Sequence, residues 1–204
     1  MRRKVYITIL FLLLSYNMLA KDNRTTKVSQ ELSWGYSPQL YDSHGFTYTT
    51  SAVGYRVNEY DARFDYNHNA FISYQIGLDF AKHYSVHLKS GFMGAGRNYD
   101  LIPLEIQCRF YFKSYSQNSL YLYLEAGTAM HNWTFNDKIK LASLGFAYRE
   151  NLYKNLCVDF FIAASALSSS PLPIDKYEGE IPRPQVLYSN VIRSYLQLGI
   201  GISF

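Results

Sequence analysis

The last nine residues of the chain, 196–204, alternate apolar side chains with small or polar ones without a break. Successive side chains of a β-strand point to opposite faces, so one face of this segment is wholly apolar and the other is small and polar. The apolar positions are Leu196, Leu198, Ile200, Ile202 and Phe204. A strand of this kind suits a sheet that separates two different surroundings, one apolar and one polar.

The first twenty residues, 1–20, have the features of a secretory signal peptide. Arg2, Arg3 and Lys4 precede an apolar stretch at 5–14, which is too short for a membrane helix of about 20 residues. Ala20 is a small residue at a suitable cleavage position. We therefore expect an exported protein whose remaining residues, 21–204, form one domain.

The charge balance excludes one class of partner. The chain has 20 Lys and Arg residues against 16 Asp and Glu residues, but three of the basic residues lie in the predicted signal peptide. The rest is close to neutral and has no basic stripe, so we expect no nucleic acid partner. The 20 Tyr and 13 Phe residues are a high content that is typical of strands and of membrane interfaces.

The same alternation recurs along the chain, with apolar residues at even-numbered positions. It covers residues 28–36, 72–80, 84–92, 104–112, 120–126, 142–148, 156–166 and 196–204. Most of these segments approach the 9–11 residues that a tilted strand needs to cross a bilayer. Short turns alternate with longer loops, chiefly 37–69 and 168–190, as in transmembrane barrels. The sequence therefore predicts an all-β fold, an antiparallel up-and-down transmembrane β-barrel of eight strands.

Charged residues on the odd-numbered face indicate which side is the interior. A charge that faces lipid near the midplane costs about 2–4 kcal/mol, so these side chains are assigned to the lumen. They are Glu31, Asp79, Lys89, Glu105, Arg109, Glu125, Arg149 and Asp159. Five acids and three bases can pair inside an eight-stranded barrel, whose lumen is just wide enough for side chains. We expect a plugged, salt-bridged interior without an open channel.

A soluble barrel with inverted faces, such as a lipocalin, is the alternative that this pattern permits. Its apolar face would line a ligand cavity, and its charged face would contact water. The terminal Phe204, the asymmetry between turns and loops, and the long aromatic-rich apolar set favour the membrane barrel.

The first long loop, 37–69, contains strand patterns of its own. Apolar residues at even positions continue through 60–66, which predicts a strand running unbroken from about 60 to 80. Its expected partner is 46–57, with a turn at Asn58-Glu59 and an insertion or bulge at 37–45. Alternatively, these segments are two further barrel strands and the barrel has ten. A protruding sheet would leave an edge that can pair with a partner strand.

The last loop, 168–190, contains four of the six prolines of the chain. Proline restricts the backbone to extended conformations. We expect a stiff, surface-exposed connector here.

Candidate catalytic and metal-binding residues do not form a recognisable motif. Cys108 and Cys157 have opposite parity on non-adjacent strands, so we expect no disulfide. His87 lies near Ser85, and His131 ends the fifth strand, but no catalytic triad is evident from separated strands. The other histidines lack the spacing of metal ligands: His44, His68 and His83. We expect no catalytic residue, no cofactor and no bound metal.

The chain after residue 20 resembles the small eight-stranded outer-membrane barrels, the family around the outer-membrane proteins A and X and the outer membrane protein beta-barrel domain proteins of Bacteroidetes. Its last strand resembles the terminal signal that the barrel-assembly machinery reads: Leu198, Ile200, Ile202 and Phe204. The resemblance implies a Gram-negative outer membrane, contact with outer-membrane lipid, and the barrel-assembly machinery as a partner during biogenesis.

The resemblance specifies the fold better than the activity. Our first expectation is a non-enzymatic structural or surface-binding barrel, whose loops 37–69 and 168–190 contact something outside. The alternative is an accessory subunit of an envelope secretion or conjugation machine, contacting an envelope protein through the edge of the first loop. A lipid A-modifying enzyme would need His131 or His87 to meet a serine and a carboxylate. A narrow pore would need an unblocked lumen.

Overall fold

The computed structural model describes residues 26–50, 54–96, 100–131, 134–153, 156–177 and 179–204. The predicted signal peptide, 1–20, lies outside the described residues. The strands are β1 (Lys27–Tyr36), β2 (Gln39–Thr49), β3 (Arg56–Arg63), β4 (Ala70–Ala81), β5 (Tyr84–Gly94), β6 (Asp100–Tyr111), β7 (Ser119–His131), β8 (Thr134–Tyr153), β9 (Leu156–Ser169), β10 (Ile174–Asp175), β11 (Gly179–Glu180) and β12 (Val186–Ser203). A 3₁₀ turn spans Arg183–Gln185. In these ranges no helix is long and apolar enough to span a membrane.

All strands except the short pair β10–β11 belong to one antiparallel sheet that closes on itself. The closing seam pairs β1 with β12, from Glu31 opposite Ser203 to Tyr36 opposite Leu198. Beyond the seam, Gln30 and Phe204 exchange backbone hydrogen bonds of 3.1 and 2.9 Å. Closure matters because each backbone N–H or C=O group that lacks a hydrogen bond in hydrocarbon costs on the order of several kcal/mol.

Ten strand segments share this sheet, yet they form an eight-stranded barrel because the first two barrel strands are each broken. Strand β12 pairs with β1 through 198–203 and with β2 through 186–195, so β1 and β2 are two halves of one barrel strand. Strands β4 and β3 lie beside those halves in the same way. The predicted all-β barrel of eight strands is confirmed, and the ten-stranded alternative is wrong.

The first barrel strand is interrupted at Ser37-Pro38 alone, so the insertion expected over 37–45 is wrong. Pro38 has no N–H for the ladder, although its carbonyl still accepts a bond from the Leu196 N–H at 3.1 Å. From Gln39 onward the chain is already paired with β12.

The second barrel strand is also interrupted, at 64–69, so the unbroken strand expected over 60–80 is wrong. An isolated bridge between Asn67 and Gln39 spans this gap. The β2–β3 hairpin closes with a 2.9 Å bond from the Thr50 N–H to the Tyr55 carbonyl. The predicted turn at Asn58-Glu59 is therefore wrong, because both residues lie within β3.

Apolar side chains at even positions form the outer surface of the barrel. Ten of them are 37–58% exposed: Leu104, Ile106, Phe110, Phe112, Leu120, Leu124, Leu144, Phe146, Phe160 and Ile162. Charged and polar side chains at odd positions of the same strands are buried. This apolar exterior around a polar interior is the reverse of a lipocalin and suits a barrel that spans a membrane.

The two ends of the barrel differ. At one end lie both chain termini of the described barrel and the connections β4–β5, β6–β7 and β8–β9; we refer to it as the inner end. At the other end, the outer end, lie the hairpin β2–β3 and the 170–185 connection between β9 and β12. The hairpin extends beyond β5, which stops at Gly94.

Glycines in the barrel wall make room for rings inside the lumen. A Cβ placed on Gly145 would overlap the ring of Tyr123, which lies opposite it on β7. The Tyr123 ring packs edge-on against Phe161, with centroids 6.4 Å apart. The aromatic filling of the lumen thus requires a residue without a side chain at position 145.

We expect Gly145→Val to lower the free energy of unfolding by about 1–3 kcal/mol, because added methyl groups overpack this layer. Urea unfolding in lipid vesicles, followed by heat-modifiable gel mobility, measures the change. The matched control is Gly45→Ala, whose new Cβ would lie 3.3 Å from its nearest neighbour, a ring carbon of Tyr188. Equal stability of the two variants would contradict the packing described.

Candidate functional site

The structure places all eight charged residues of the odd-numbered face inside the barrel, with exposed fractions of 0–8%. We call them the luminal network: Glu31, Asp79, Lys89, Glu105, Arg109, Glu125, Arg149 and Asp159. A buried charge is tolerated only when it is paired and hydrogen-bonded. The contacts within the network therefore decide what the lumen can do.

Two guanidinium groups and two carboxylates form the half of the network nearer the inner end. Arg149 binds Asp159 through two bonds, Nε–Oδ1 at 2.8 Å and Nη2–Oδ2 at 2.6 Å. Arg109 donates to Glu31 at 2.7 Å and also lies 3.7 Å from Asp159. The Ser203 hydroxyl lies 3.1 Å from both carboxylates. This half is electrically balanced and joins β1, β6, β8, β9 and β12.

A single ammonium group holds the other half together. Lys89 Nζ lies 2.9 Å from both carboxylate oxygens of Glu125 and 3.4 Å from Glu105. Gln107 links the two halves, because its amide donates to Glu125 at 2.5 Å while its carbonyl accepts from Arg109. The network thus spans the lumen from wall to wall.

Asp79 lies apart from these pairs, beside His87. Its Oδ1 is 4.0 Å from His87 Nε2, and the same nitrogen is 3.0 Å from the Ser85 hydroxyl. In a catalytic triad the acid contacts Nδ1 while the nucleophile contacts Nε2. Here both neighbours approach one nitrogen, and Ser85 and His87 are 1–2% exposed. His131 lies elsewhere, at the outer end of β7.

Aromatic and apolar layers fill the lumen on either side of the charges. Arg109 and Arg149 each lie 5.2 Å from a tyrosine ring, Tyr121 and Tyr111 respectively. Nearer the outer end, an apolar plug closes the lumen: Phe71, Met93, Ala95, Leu101, Ala129, Ile139, Leu141, Leu167 and Tyr195. Among the network side chains the structure leaves a cavity of about 10 Å³, room for about one water molecule.

The residues of the proposed assembly signal lie on the closing seam. Leu198, Ile200 and Ile202 stand opposite Tyr36, Trp34 and Leu32 of β1. Their side chains belong to the lipid-facing surface, and Phe204 is about half exposed. The last strand is thus the strand whose pairing closes the barrel.

The two cysteines are free thiols in the structure. Cys108 is exposed on the lipid-facing side of β6, while Cys157 on β9 donates to Asn151 at 2.8 Å near the inner mouth. In the described part of the chain no group of three or more His, Cys, Asp or Glu residues could hold a metal ion.

Each mouth of the barrel has a pocket. The inner pocket has a volume of about 370 Å³ and is bordered by Lys27, Asp79 and Arg149. The outer pocket has a volume of about 330 Å³ and lies at the breaks in the first two barrel strands, bordered by Gln39, Asp42, Arg63, Asp65, Asn67, Gly96 and Arg193. Sequence reasoning missed the outer pocket, because its residues come from interrupted stretches where the alternation fails.

The β2–β3 hairpin forms a sheet above the barrel wall, which we call the outer sheet (residues 39–63). Strand β2 is paired on both sides, with β12 and with β3. Strand β3 is the terminal strand of the sheet, with β2 as its partner among the described residues. Tyr60 on β3 is 76% exposed, and Phe64 just after it is 90% exposed. These two rings therefore present apolar surface to the surroundings at the outer end of the barrel.

The last loop is more ordered than a solvated connector. Strand β9 continues to Ser169 and β12 begins at Val186, so the connection is shorter than expected. Pro173 and Ile181 are completely buried in it, and the Ile181 N–H donates to the Pro173 carbonyl at 2.9 Å. Asp175 accepts a 2.9 Å bond from Tyr48 of the outer sheet. The loop therefore braces the hairpin.

No family model matches the chain, and no curated protein matches it. Several solved structures are similar in overall shape, including the following three. The outer membrane protein OprG from Pseudomonas aeruginosa is 13% identical, with 86% of this chain and 95% of that chain covered and a TM-score of 0.45. AlkL is 11% identical, with coverage of 91% and 94% and a TM-score of 0.44. The Escherichia coli outer membrane protease OmpT is 7% identical, with coverage of 90% and 99% and a TM-score of 0.38.

We expect Arg149→Met to destabilise the barrel by about 3–5 kcal/mol, because it leaves Asp159 buried without its two-bond partner. The double variant Arg149→Met/Asp159→Leu should recover part of the loss, since no unpaired charge remains. Urea unfolding in lipid vesicles measures both. Lys113→Met, at an exposed position of the β6–β7 turn, is the control and should change stability little. If Arg149→Met alone were as stable as Lys113→Met, that result would contradict the stabilising role of the Arg149–Asp159 pair.

Proposed function

We propose that this protein is an outer-membrane β-barrel that acts at its outer surface, without enzymatic activity, through the outer sheet and the loop that braces it. The observation that carries the proposal is the side-chain-filled lumen beneath an exposed sheet. The luminal network and the apolar plug occupy the space that a solute would need. Accessible at the outer end are the hairpin with its exposed rings, the connection 170–185 and the outer pocket.

The lipid-facing belt supports the outer-membrane location. A closed barrel with an apolar exterior is one of the two architectures that can span a bilayer, and bacterial barrels of this kind have an even number of strands. The signal peptide predicted from the sequence and the barrel fold together support export to a Gram-negative outer membrane. Outer-membrane lipid and, during biogenesis, the barrel-assembly machinery are then the expected partners.

The buried histidine argues against hydrolytic or acyl-transfer chemistry in the lumen. A general base must come within hydrogen-bond reach of its substrate, whereas His87 and Ser85 are enclosed by the barrel wall. Their geometry also lacks an acid on the second ring nitrogen.

An accessory role in a larger envelope machine is the second candidate. The terminal strand of the outer sheet favours it, because an unpaired sheet edge can accept a strand from another chain. The two candidates share one contact surface and differ in whether the partner is a stable subunit.

We expect the purified barrel to show no stepwise ion conductance in planar lipid bilayers, because charged and apolar side chains fill its lumen. A porin measured in the same bilayers is the positive control. Reproducible conductance steps from the folded, heat-modifiable protein would overturn the proposal in favour of a pore.

We expect replacement of 43–62 by a two-residue turn to leave the barrel folded while removing its contacts outside the membrane. The wild type and this variant are extracted from native outer membranes in mild detergent, and the co-purifying proteins are compared. A stoichiometric protein that accompanies only the wild type identifies a subunit interaction. A protein that accompanies both would show that the outer sheet is not the contact.

A further inference from the structure

Strand β3 presents alternate backbone groups at a free edge. In an antiparallel ladder, hydrogen-bonded and non-bonded pairs alternate. The Thr50 N–H donates to the Tyr55 carbonyl at 2.9 Å, so Tyr55 directs its carbonyl toward β2, and the β2–β3 register continues from this pair without a shift. Residues 57, 59, 61 and 63 therefore direct their N–H and C=O groups toward β2. Residues 56, 58, 60 and 62 direct theirs away from the sheet.

The described part of β5 ends below this edge. Below it, β4 pairs with β5 up to Phe71 opposite Met93, and β5 ends at Gly94. The Gly96 N–H then donates to the Asn69 side chain at 3.2 Å, which places Gly96 next to the break at 64–69. Among the described residues, no strand continues upward from β5 beside β3.

The edge lacks two of the usual devices that prevent strand addition. Proteins protect exposed edges with proline, with bulges or with charged residues, lysine above all. Strand β3 contains neither proline nor lysine, and its pairing with β2 is regular. It does carry four charges: Arg56, Glu59, Asp61 and Arg63. These charges would admit a complementary strand and repel others.

The two faces of β3 specify what a complementary strand should contain. Glu59 and Asp61 lie on the face shared with Phe46 and His44, at the centre of the strand. At the end of the same face, Arg63 lies 3.8 Å from Asp61 in an exposed ion pair, which leaves the face with two acids and one base. Opposite charges on directly facing cross-strand residues are stabilising, whereas like charges are destabilising. On the other face Tyr60 is largely exposed, and aromatic rings pair well with β-branched or aromatic residues across strands.

A second copy of this chain does not fit the edge. Copies in one membrane have the same orientation, so their β3 strands run in the same direction. An antiparallel pair of β3 strands would require one barrel to be inverted. A register that places Glu59 or Asp61 opposite the same residue of the second copy would also bring like charges together. The occupant is therefore a segment of a different polypeptide.

We infer that the free edge of β3 binds an extended segment of another protein, in which basic residues facing Glu59 and Asp61 alternate with β-branched or aromatic residues facing Tyr60. The inference rests on the proposed function and specifies the chemistry of the partner that this function requires. Main-chain bonds to residues 56, 58, 60 and 62 supply the affinity, and the two carboxylates select the sequence.

The test uses the full-length barrel in nanodiscs of phosphatidylcholine, a zwitterionic lipid that does not attract basic peptides. Two labelled eight-residue peptides are compared by fluorescence anisotropy: one alternates Lys with Val and Tyr, and the other has Glu in place of Lys. We expect the Lys peptide to bind at least tenfold more tightly. The double variant Glu59→Lys/Asp61→Lys should reverse that preference.

A backbone variant separates strand addition from simple charge attraction. Ala62→Pro removes an N–H at the free edge and leaves the bonds to β2, because residue 62 points away from that strand. It should weaken binding of the Lys peptide at least tenfold, whereas the matched control Ala62→Val, which keeps the N–H, should bind as the wild type does. Heat-modifiable mobility verifies the fold of each variant.

The outcomes are distinguishable. Slower amide exchange at residues 56, 58, 60 and 62 with the Lys peptide, together with the reversed preference, supports strand addition. Equal binding by Ala62→Pro and Ala62→Val, or binding without slower exchange, overturns it. Failure of both peptides to bind overturns the inference alone, because the proposed function is tested separately by conductance and co-purification.

Discussion

The hydrogen bonds between β1 and β12 are the interaction on which the rest of the structure depends. A sheet in lipid cannot leave an edge unpaired, and this seam joins the first strand of the barrel to the last. Once it is formed, each strand has one face toward lipid and one toward the lumen. The seam also explains why the apolar residues of the final strand and the small residues between them are both needed. The former meet lipid, and the latter, such as Gly199 and Gly201, stand at the crowded interior.

The lumen is closed by paired charges instead of by an apolar core alone. Each guanidinium group has a carboxylate at 2.6–2.7 Å, and the ammonium of Lys89 has two carboxylate neighbours. Such pairs contribute little net stability compared with apolar packing, but a broken pair is costly. The network therefore fixes one arrangement of strands around it. Because side chains that hold the barrel together fill the interior, we propose that the protein acts at its outer end.

The sequence predicted the parity of the barrel strands well because charges in lipid are so unfavourable. Once Arg109 and Asp159 are assigned to the lumen, the residues at every second position along the same strands must also face the lumen. The hairpin was less predictable. In water both faces of a strand tolerate polar residues. The alternation of polar and apolar residues in β2 and β3 is therefore weak, and it does not reveal their register or the position of their turn. The breaks at 37–38 and 64–69 depend on contacts with β12 and between the two strands, which no local pattern reveals.

The sequence by itself determined which residues face lipid and which face the lumen, because alternation is a local property and membrane burial penalises every exception. The tertiary structure alone decided which charges pair, where the first two strands break, and that β3 has only β2 as a neighbouring strand among the described residues. Those features depend on residues far apart in the chain meeting across a closed sheet. Glu31 and Ser203 are 172 positions apart and yet their side-chain oxygens lie 3.1 Å from each other, a contact created by the closure of the barrel.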